Sequence, residues 1–195
     1  MILILDNFDS FTYNLYQQVL PFATSKNIAV QVIRNNVLQP HNIHIIKPNA
    51  LIISPGPGNP DNTGNCRAIV NQLWGTVPIL GVCLGHQLLA HMLKANIIPA
   101  KHVLHGKTSI VKHSKDALFK NIPESFRVAR YHSLAVDRET LSDDWTITAA
   151  TDDDEIMAIA HNTDKVWGIQ FHPESFLTEH GDQIIENFID QIELS

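Results

Sequence analysis

The sequence predicts an α/β fold: a mostly parallel central sheet with helices on both faces, plus a small antiparallel strand extension in the C-terminal half. Three observations carry this prediction. Apolar runs of strand length alternate with helix-period segments through the first half of the chain. Two glycine-bearing turns, Ser54-Pro55-Gly56-Pro57-Gly58-Asn59-Pro60 and Gly81-Val82-Cys83-Leu84-Gly85, each sit at the end of an apolar run. In the second half, short strand-like segments follow one another without long helices between them.

Taken in order, Ile2–Leu5 is a continuous apolar strand, and Phe11–Leu20 reads as a helix with Asp9 or Ser10 as its N-cap. Ile28–Ile33 and Ala50–Ile53 are the next strands, and Cys66–Leu73 is a short helix. Val77–Val82 reads as a buried strand, and His86–Leu93 has its apolar residues at helical spacing. Such alternation implies parallel strands covered on both faces, a flavodoxin-like arrangement. Ligands of such sheets bind beyond the carboxyl ends of the strands, and both special turns lie there. Ser109–Lys112, Phe126–Ala129, Thr146–Ala150, Ile156–His161 and Val166–Phe171 are the later strands, extending the sheet or forming a subsidiary one. The acidic run Asp152-Asp153-Asp154-Glu155 is expected to be a solvated hairpin turn. Asp182–Ile192 forms a closing amphipathic helix with Ile184, Ile185, Phe188, Ile189 and Ile192 on one face. No repeat or linker interrupts residues 1–195, which fit a single domain able to bury about 70% of its unfolded surface.

Composition excludes several function classes. The formal net charge is −6 and no Lys/Arg run exists, which argues against nucleic-acid binding. No apolar stretch approaches a membrane span. The start, Met1-Ile2-Leu3-Ile4-Leu5-Asp6, lacks the basic region of a signal peptide. Cys66 and Cys83 make no disulfide framework, so a cytoplasmic location is expected. The eleven histidines show no metal-binding spacing, and neither metal nor cofactor is expected.

Chemistry concentrates in Gly81-Val82-Cys83-Leu84-Gly85. A cysteine between two glycines at a strand-to-helix turn has the pattern of a nucleophile elbow. The glycines let the backbone bend, and the helix N-terminus favours thiolate. A Cys nucleophile needs a base, and the base needs an orienting group. Phe171-His172-Pro173-Glu174-Ser175 supplies both: residues two apart in extended chain point the same way, and Pro173 biases His172 toward that conformation. An oxyanion would find the Leu84 N–H and a donor from the Gly56-Pro57-Gly58 turn.

These three segments, in order and spanning the chain, resemble the motifs of the class I (triad-type) glutamine amidotransferases. The resemblance implies Cys83 as nucleophile, His172 as general base and acid, and Glu174 as its orienter. It makes Gln87 a contact to L-glutamine, and Tyr131-His132-Ser133-Leu134 the loop holding the substrate's α-amino and carboxylate end, alongside Gly56, Pro57, Gly58 and Leu84. Within the family, the chain resembles the small subunits of anthranilate synthase and aminodeoxychorismate synthase. Asp6-Asn7-Phe8-Asp9-Ser10-Phe11-Thr12-Tyr13-Asn14-Leu15, His105-Gly106-Lys107-Thr108-Ser109, Arg130-Tyr131-His132-Ser133-Leu134 and Ser175-Phe176-Leu177-Thr178 carry that likeness. Thr63 and Phe176 depart from the usual small apolar and β-branched residues, away from the proposed chemistry. The resemblance implies glutamine hydrolysis with ammonia passed to a separate chorismate-binding synthase subunit. About twenty residues follow Glu174, too few for an ammonia-using domain, and His105–Ser109 is a candidate partner-facing strand. Two other readings use the same scaffold: a stand-alone peptidase or γ-glutamyl hydrolase, marked by peptide hydrolysis without a partner, and a non-catalytic flavodoxin-like interaction domain, marked by an unreactive Cys83.

Overall fold

The computed structural model describes residues 1–102 and 106–193. The chain runs β1 (Ile2–Asp6), α1 (Thr12–Ser25), β2 (Val30–Arg34), α2 (Ile43–Ile46), β3 (Ala50–Ile53), α3 (Cys66–Leu73), β4 (Ile79–Val82), α4 (Leu84–Met92) and β5 (Ile97–Pro99). It continues through β6 (Lys107–His113), β7 (Ser125–Arg130), β8 (Leu134–Val136), β9 (Trp145–Thr151), β10 (Ile156–His161), β11 (Val166–Ile169) and α5 (Gly181–Ile189).

Among the described residues, nine strands form one sheet in the order β2-β1-β3-β4-β11-β10-β9-β6-β7. The first five are mutually parallel and the remainder antiparallel. Strand β11, last in sequence, therefore lies in the middle, between β4 and β10. The antiparallel residues both extend the sheet and, as β5 and β8, make a separate two-stranded ribbon that hydrophobic patterning did not reveal. Both of its strands are three residues long, too short for a periodicity to register.

Alternating strand residues feed two cores. Ile2, Ile4, Ile52, Leu80 and Val82 pack against Leu15, Val19 and Ala23 of α1 and Ile184, Ile185, Phe188 and Ile189 of α5. Leu3, Leu5, Leu51, Ile53 and Ile79 face the opposite side, against Ile69 and Val70 of α3 and Leu88 and Leu89 of α4. Two-sided burial explains why these strands read as unbroken apolar runs.

Several boundaries differ from expectation. Helix α1 does not stop before Pro21 but continues to Ser25. The buried stripe Leu15, Val19, Ala23 runs past the proline, whose ring lies on the exposed side, and this packing offsets the roughly 3 kcal/mol that an interior proline costs. Its N-cap is Phe11, not Asp9 or Ser10, although the Asp9 carboxylate accepts the Phe11 N–H at 2.8 Å. Strand β2 starts at Val30, β11 ends at Ile169, and α5 ends at Ile189. The acidic run is a β9–β10 turn with Asp152, Asp153 and Asp154 exposed, but Glu155 is buried, because Arg130 pairs with it inside the protein. His105 lies outside the described residues. Of the strand that follows it, Val111 and Lys112 pair on both sides and His113 with β9, whereas Lys107–Ile110 pairs with β7 alone.

Candidate active site

The carboxyl ends of β1, β3, β4 and β11 are neighbours, so the loops that leave them meet at one edge of the sheet. Asn7 clamps two of these exits together. Its N–H donates to Ser54 Oγ and its Nδ2 to the Ser54 carbonyl, both at 2.9 Å, while its Oδ1 accepts from Asn35 Nδ2 at 2.8 Å and from the Cys66 thiol at 3.2 Å. Asp6 Oδ1 accepts from the Phe8 N–H at 2.9 Å and the Thr12 hydroxyl at 2.8 Å, fixing the turn into α1. The Asp6–Asn14 segment thus has a structural reason that its sequence alone does not disclose.

Between β4 and α4 the chain turns on Cys83 alone, at φ 53° and ψ −100°, outside the small left-handed region that L-residues tolerate. Two close approaches force the bend. A Cβ on Gly81 would stand 2.5 Å from the Gly85 carbonyl, and one on Gly85 would stand 2.6 Å from the Ile53 carbonyl oxygen. Helix α4 is therefore pressed directly onto β3 and β4. The Cys83 N–H donates to the Ile169 carbonyl at 2.8 Å, which binds the elbow to β11. A Cβ on Gly56 would meet Asn7 Cβ at 2.5 Å and Leu84 Cδ2 at 2.9 Å, so the 56–58 turn packs on the elbow. The Leu84 N–H is one of the donors a helix leaves unpaired at its start, and no backbone carbonyl among the described residues takes it. Pro57 and Gly58 are exposed beside it.

His172 follows β11 by three residues. Its N–H donates to the Ala129 carbonyl at 3.3 Å, and its own carbonyl accepts the Thr178 hydroxyl at 2.6 Å. Nδ1 stands 2.6 Å from Glu174 Oε1, with both side chains almost fully buried. A carboxylate only accepts, so the proton belongs on Nδ1 and Nε2 is the nitrogen left for other work. Burial pulls the imidazole's pKa down, but the adjacent Cys83 sulfur and the Glu174 carboxylate together outweigh it and hold the pKa above the ordinary histidine value. The thiol's contact with the ring falls short of hydrogen-bond geometry, and Nε2 has no partner meeting it among the described residues. Tyr131 and Phe11 wall the imidazole, their ring centroids 5.0 and 6.2 Å from it.

The loop 131–134 also reaches the site. The His132 Nδ1 lies 2.9 Å from the Leu134 carbonyl, and Gln87 Nε2 donates to the same oxygen at 2.9 Å. Gln87 is buried, and its Nε2 donates as well to Gln170 Oε1 at 3.0 Å. Both hydrogens of that amide are thus consumed inside the protein, and its oxygen is what it can offer a ligand, an acceptor suited to an ammonium group. Ser133 is exposed, its carbonyl accepting the Ala100 N–H at 2.9 Å.

Sequence reasoning missed Gln170, which is fully buried and whose Nε2 lies 3.6 Å from the Cys83 sulfur. The available signal was a polar residue inside the apolar run Val166–Phe171, since a buried amide must find partners. It also missed the buried Arg130–Glu155 pair behind His132, where Arg130 donates from Nε to His132 Nε2 and from Nη1 to Ser109 Oγ, each at 3.2 Å. The other cysteine is chemically quiet: burial and the Asp6 carboxylate push the Cys66 thiol up to about 12.

The arrangement offers a thiol, an imidazole and a buried carboxylate in series beside free N–H donors, which suits attack on an acyl carbon. The comparisons agree in direction. The glutamine amidotransferase class-I family model matches residues 3–192. Anthranilate synthase component 2 of Cyanophora paradoxa is 45% identical over 190 residues, covering 97% of this chain and 98% of that protein. Aminodeoxychorismate synthase component 2 of Klebsiella aerogenes is 43% identical over 191 residues, covering 98% of this chain and 100% of that protein. Among solved structures, a glutamine amidotransferase of Thermotoga maritima superposes with a TM-score of 0.73 at 18% identity, covering 97% of this chain and 82% of that one, a likeness of fold. A candidate GMP synthase component of Thermoplasma acidophilum reaches a TM-score of 0.84 at 24% identity, covering 98% of this chain and 92% of that one, again a likeness of fold. A family model spanning all but the chain's extremities, joined by full-length relatives of this similarity, carries one conclusion: the protein belongs to the class-I glutamine amidotransferases.

Proposed function

We propose that this chain is the glutaminase subunit of a chorismate-aminating synthase, acting as one catalytic domain over residues 1–195 in the cytoplasm. The observation that carries the chemistry is the Cys83–His172–Glu174 series on adjacent strand ends, with the Nδ1 side of the imidazole committed to Glu174 at 2.6 Å. The Cys83 thiolate attacks the side-chain carboxamide carbon of L-glutamine. The oxyanion collects the Leu84 N–H and an N–H from the Gly56–Gly58 turn. Protonated His172 donates from Nε2 to the departing ammonia, leaving a γ-glutamyl thioester on Cys83. Water, deprotonated by the same nitrogen, then releases glutamate and restores the thiol. Gln87 Oε1 accepts from the substrate's α-ammonium, and the His132, Ser133 and Leu134 loop holds its carboxylate end.

Similarity to component 2 of both anthranilate and aminodeoxychorismate synthases supports delivery of the ammonia to a separate chorismate-binding partner. Exposed Phe8, Phe11 and Phe176 on the loops at the active-site edge, with Tyr13 in the first turn of α1, supply an apolar rim suited to that partner. The test is synthesis by the assembled pair. Cys83→Ser is expected to abolish amination from glutamine and to leave amination from ammonium salts intact. Retained glutamine-dependent synthesis would remove Cys83 from the mechanism.

A further inference from the structure

We propose that Gln170 is a positioning residue for the nucleophile, holding an N–H on the Cys83 sulfur through a chain of hydrogen bonds whose directions are forced. This deepens the reading of Cys83 as nucleophile and rests on it.

The chain is anchored at the Leu134 carbonyl, which can only accept. The Gln87 atom 2.9 Å from it must therefore be the amide nitrogen, not the oxygen. That same nitrogen lies 3.0 Å from the Gln170 side chain, which must present its oxygen there. Gln170 is left with its nitrogen toward Cys83, 3.6 Å from the sulfur. No amide in the series can flip without setting two like groups against each other. The anchor itself is braced from behind. An arginine has no acceptor, so Arg130 Nε–H makes His132 Nε2 an acceptor and puts the ring proton on Nδ1, aimed at Leu134. Glu155 balances the charge of Arg130.

An N–H donor on sulfur favours thiolate over thiol, and it restricts the sulfur to one direction. Gln170 thereby acts on the nucleophile through a contact separate from the imidazole's proton chemistry. It is fully buried and makes its side-chain bonds to Gln87 and Cys83, so its amide serves the site and not the surface.

The experiment follows alkylation of Cys83 by iodoacetamide across pH in the full-length chain, reading the Cys83 peptide by mass spectrometry. In Gln170→Glu, which keeps the acceptor for Gln87 and replaces the donor, the half-maximal pH is expected to rise by about one to two units. Glutamine turnover falls about tenfold or more near neutral pH and recovers as pH is raised, with KM for glutamine little changed. Gln170→Leu is the second variant and is expected to shift the profile in the same direction. If neither variant folds, the side-chain amide of Gln170 in the unmutated chain is followed by NMR: its proton shifts should titrate with the alkylation midpoint and lose that response in Cys83→Ser. A folded variant with an unmoved alkylation profile, or an amide indifferent to sulfur ionisation, overturns the proposal. Full glutaminase activity in Cys83→Ser would instead overturn the functional reading, while the alkylation profile still judges the contact between Gln170 and the sulfur.

Discussion

Replacing Cys83 by glycine should stabilise this protein relative to replacing it by alanine, the reverse of the usual order. Both substitutions remove the thiol, so their difference isolates the backbone. Alanine keeps a Cβ at φ 53° and ψ −100°, a conformation that costs an L-residue about 1–3 kcal/mol. Glycine adopts it freely, and at a helix N-cap glycine is also preferred over alanine. Against this stands the larger conformational entropy of glycine in the unfolded chain, about 0.4–1 kcal/mol in alanine's favour. The balance is about 0.5–2 kcal/mol for glycine. For a chain of this size that amounts to a difference in Tm of about 1–8 °C. Urea denaturation of the two variants, followed by tryptophan fluorescence and circular dichroism, measures it. An alanine variant as stable as the glycine variant would show that the elbow stores no strain, and the account of how β4, Cys83 and α4 lift the thiol would fail.

Glu155→Ala should cost about 3–5 kcal/mol, because it strands the Arg130 guanidinium in a site only 2% exposed, whereas a joint change of Arg130 and Glu155 to apolar residues of similar volume should cost far less; denaturant titration of both variants decides. Acid should destabilise the fold through His86. Complete burial, with His132 adding to it, lowers the His86 pKa from 6.5 to about 3, so the unfolded chain binds a proton that the folded chain refuses. The contribution is therefore fully present above pH 6.5 and is lost as pH falls toward 3, at about 1.4 kcal/mol per pH unit. His86→Leu should flatten that part of the stability curve, and an unchanged slope would reassign the acid sensitivity to other groups.

Much of the parallel half was legible because its strands are buried on two faces. Ala50–Ile53 and Cys66–Leu73 have the boundaries their apolar patterns indicated. The three chemical segments were legible for a different reason: a bend that only glycine neighbours permit and an imidazole followed by Pro-Glu leave marks in local sequence. What escaped was long-range polar pairing. Glu155 sits at the end of an acidic run, and nothing local distinguishes it from its solvated neighbours; only the position of Arg130, twenty-five residues away, draws it inside. Gln170 likewise meets Gln87 and Cys83 from eighty-three and eighty-seven residues away. Helix α1 outran its proline because tertiary packing of Val19 and Ala23 overrode a local breaker.

The central place of β11 has a consequence for how the molecule comes into being. In the proposed mechanism, nucleophile and base arrive on the chain far apart in time during synthesis, and the strand that leads to His172 must insert between β4 and β10 before the two can meet. A nascent polypeptide that has emerged only through α4 carries Cys83 without His172, so under the proposed mechanism it would leave glutamine untouched while half made. The sheet's closing step and the birth of activity are one event, so recovery of turnover after dilution from urea should report completion of folding and not its onset.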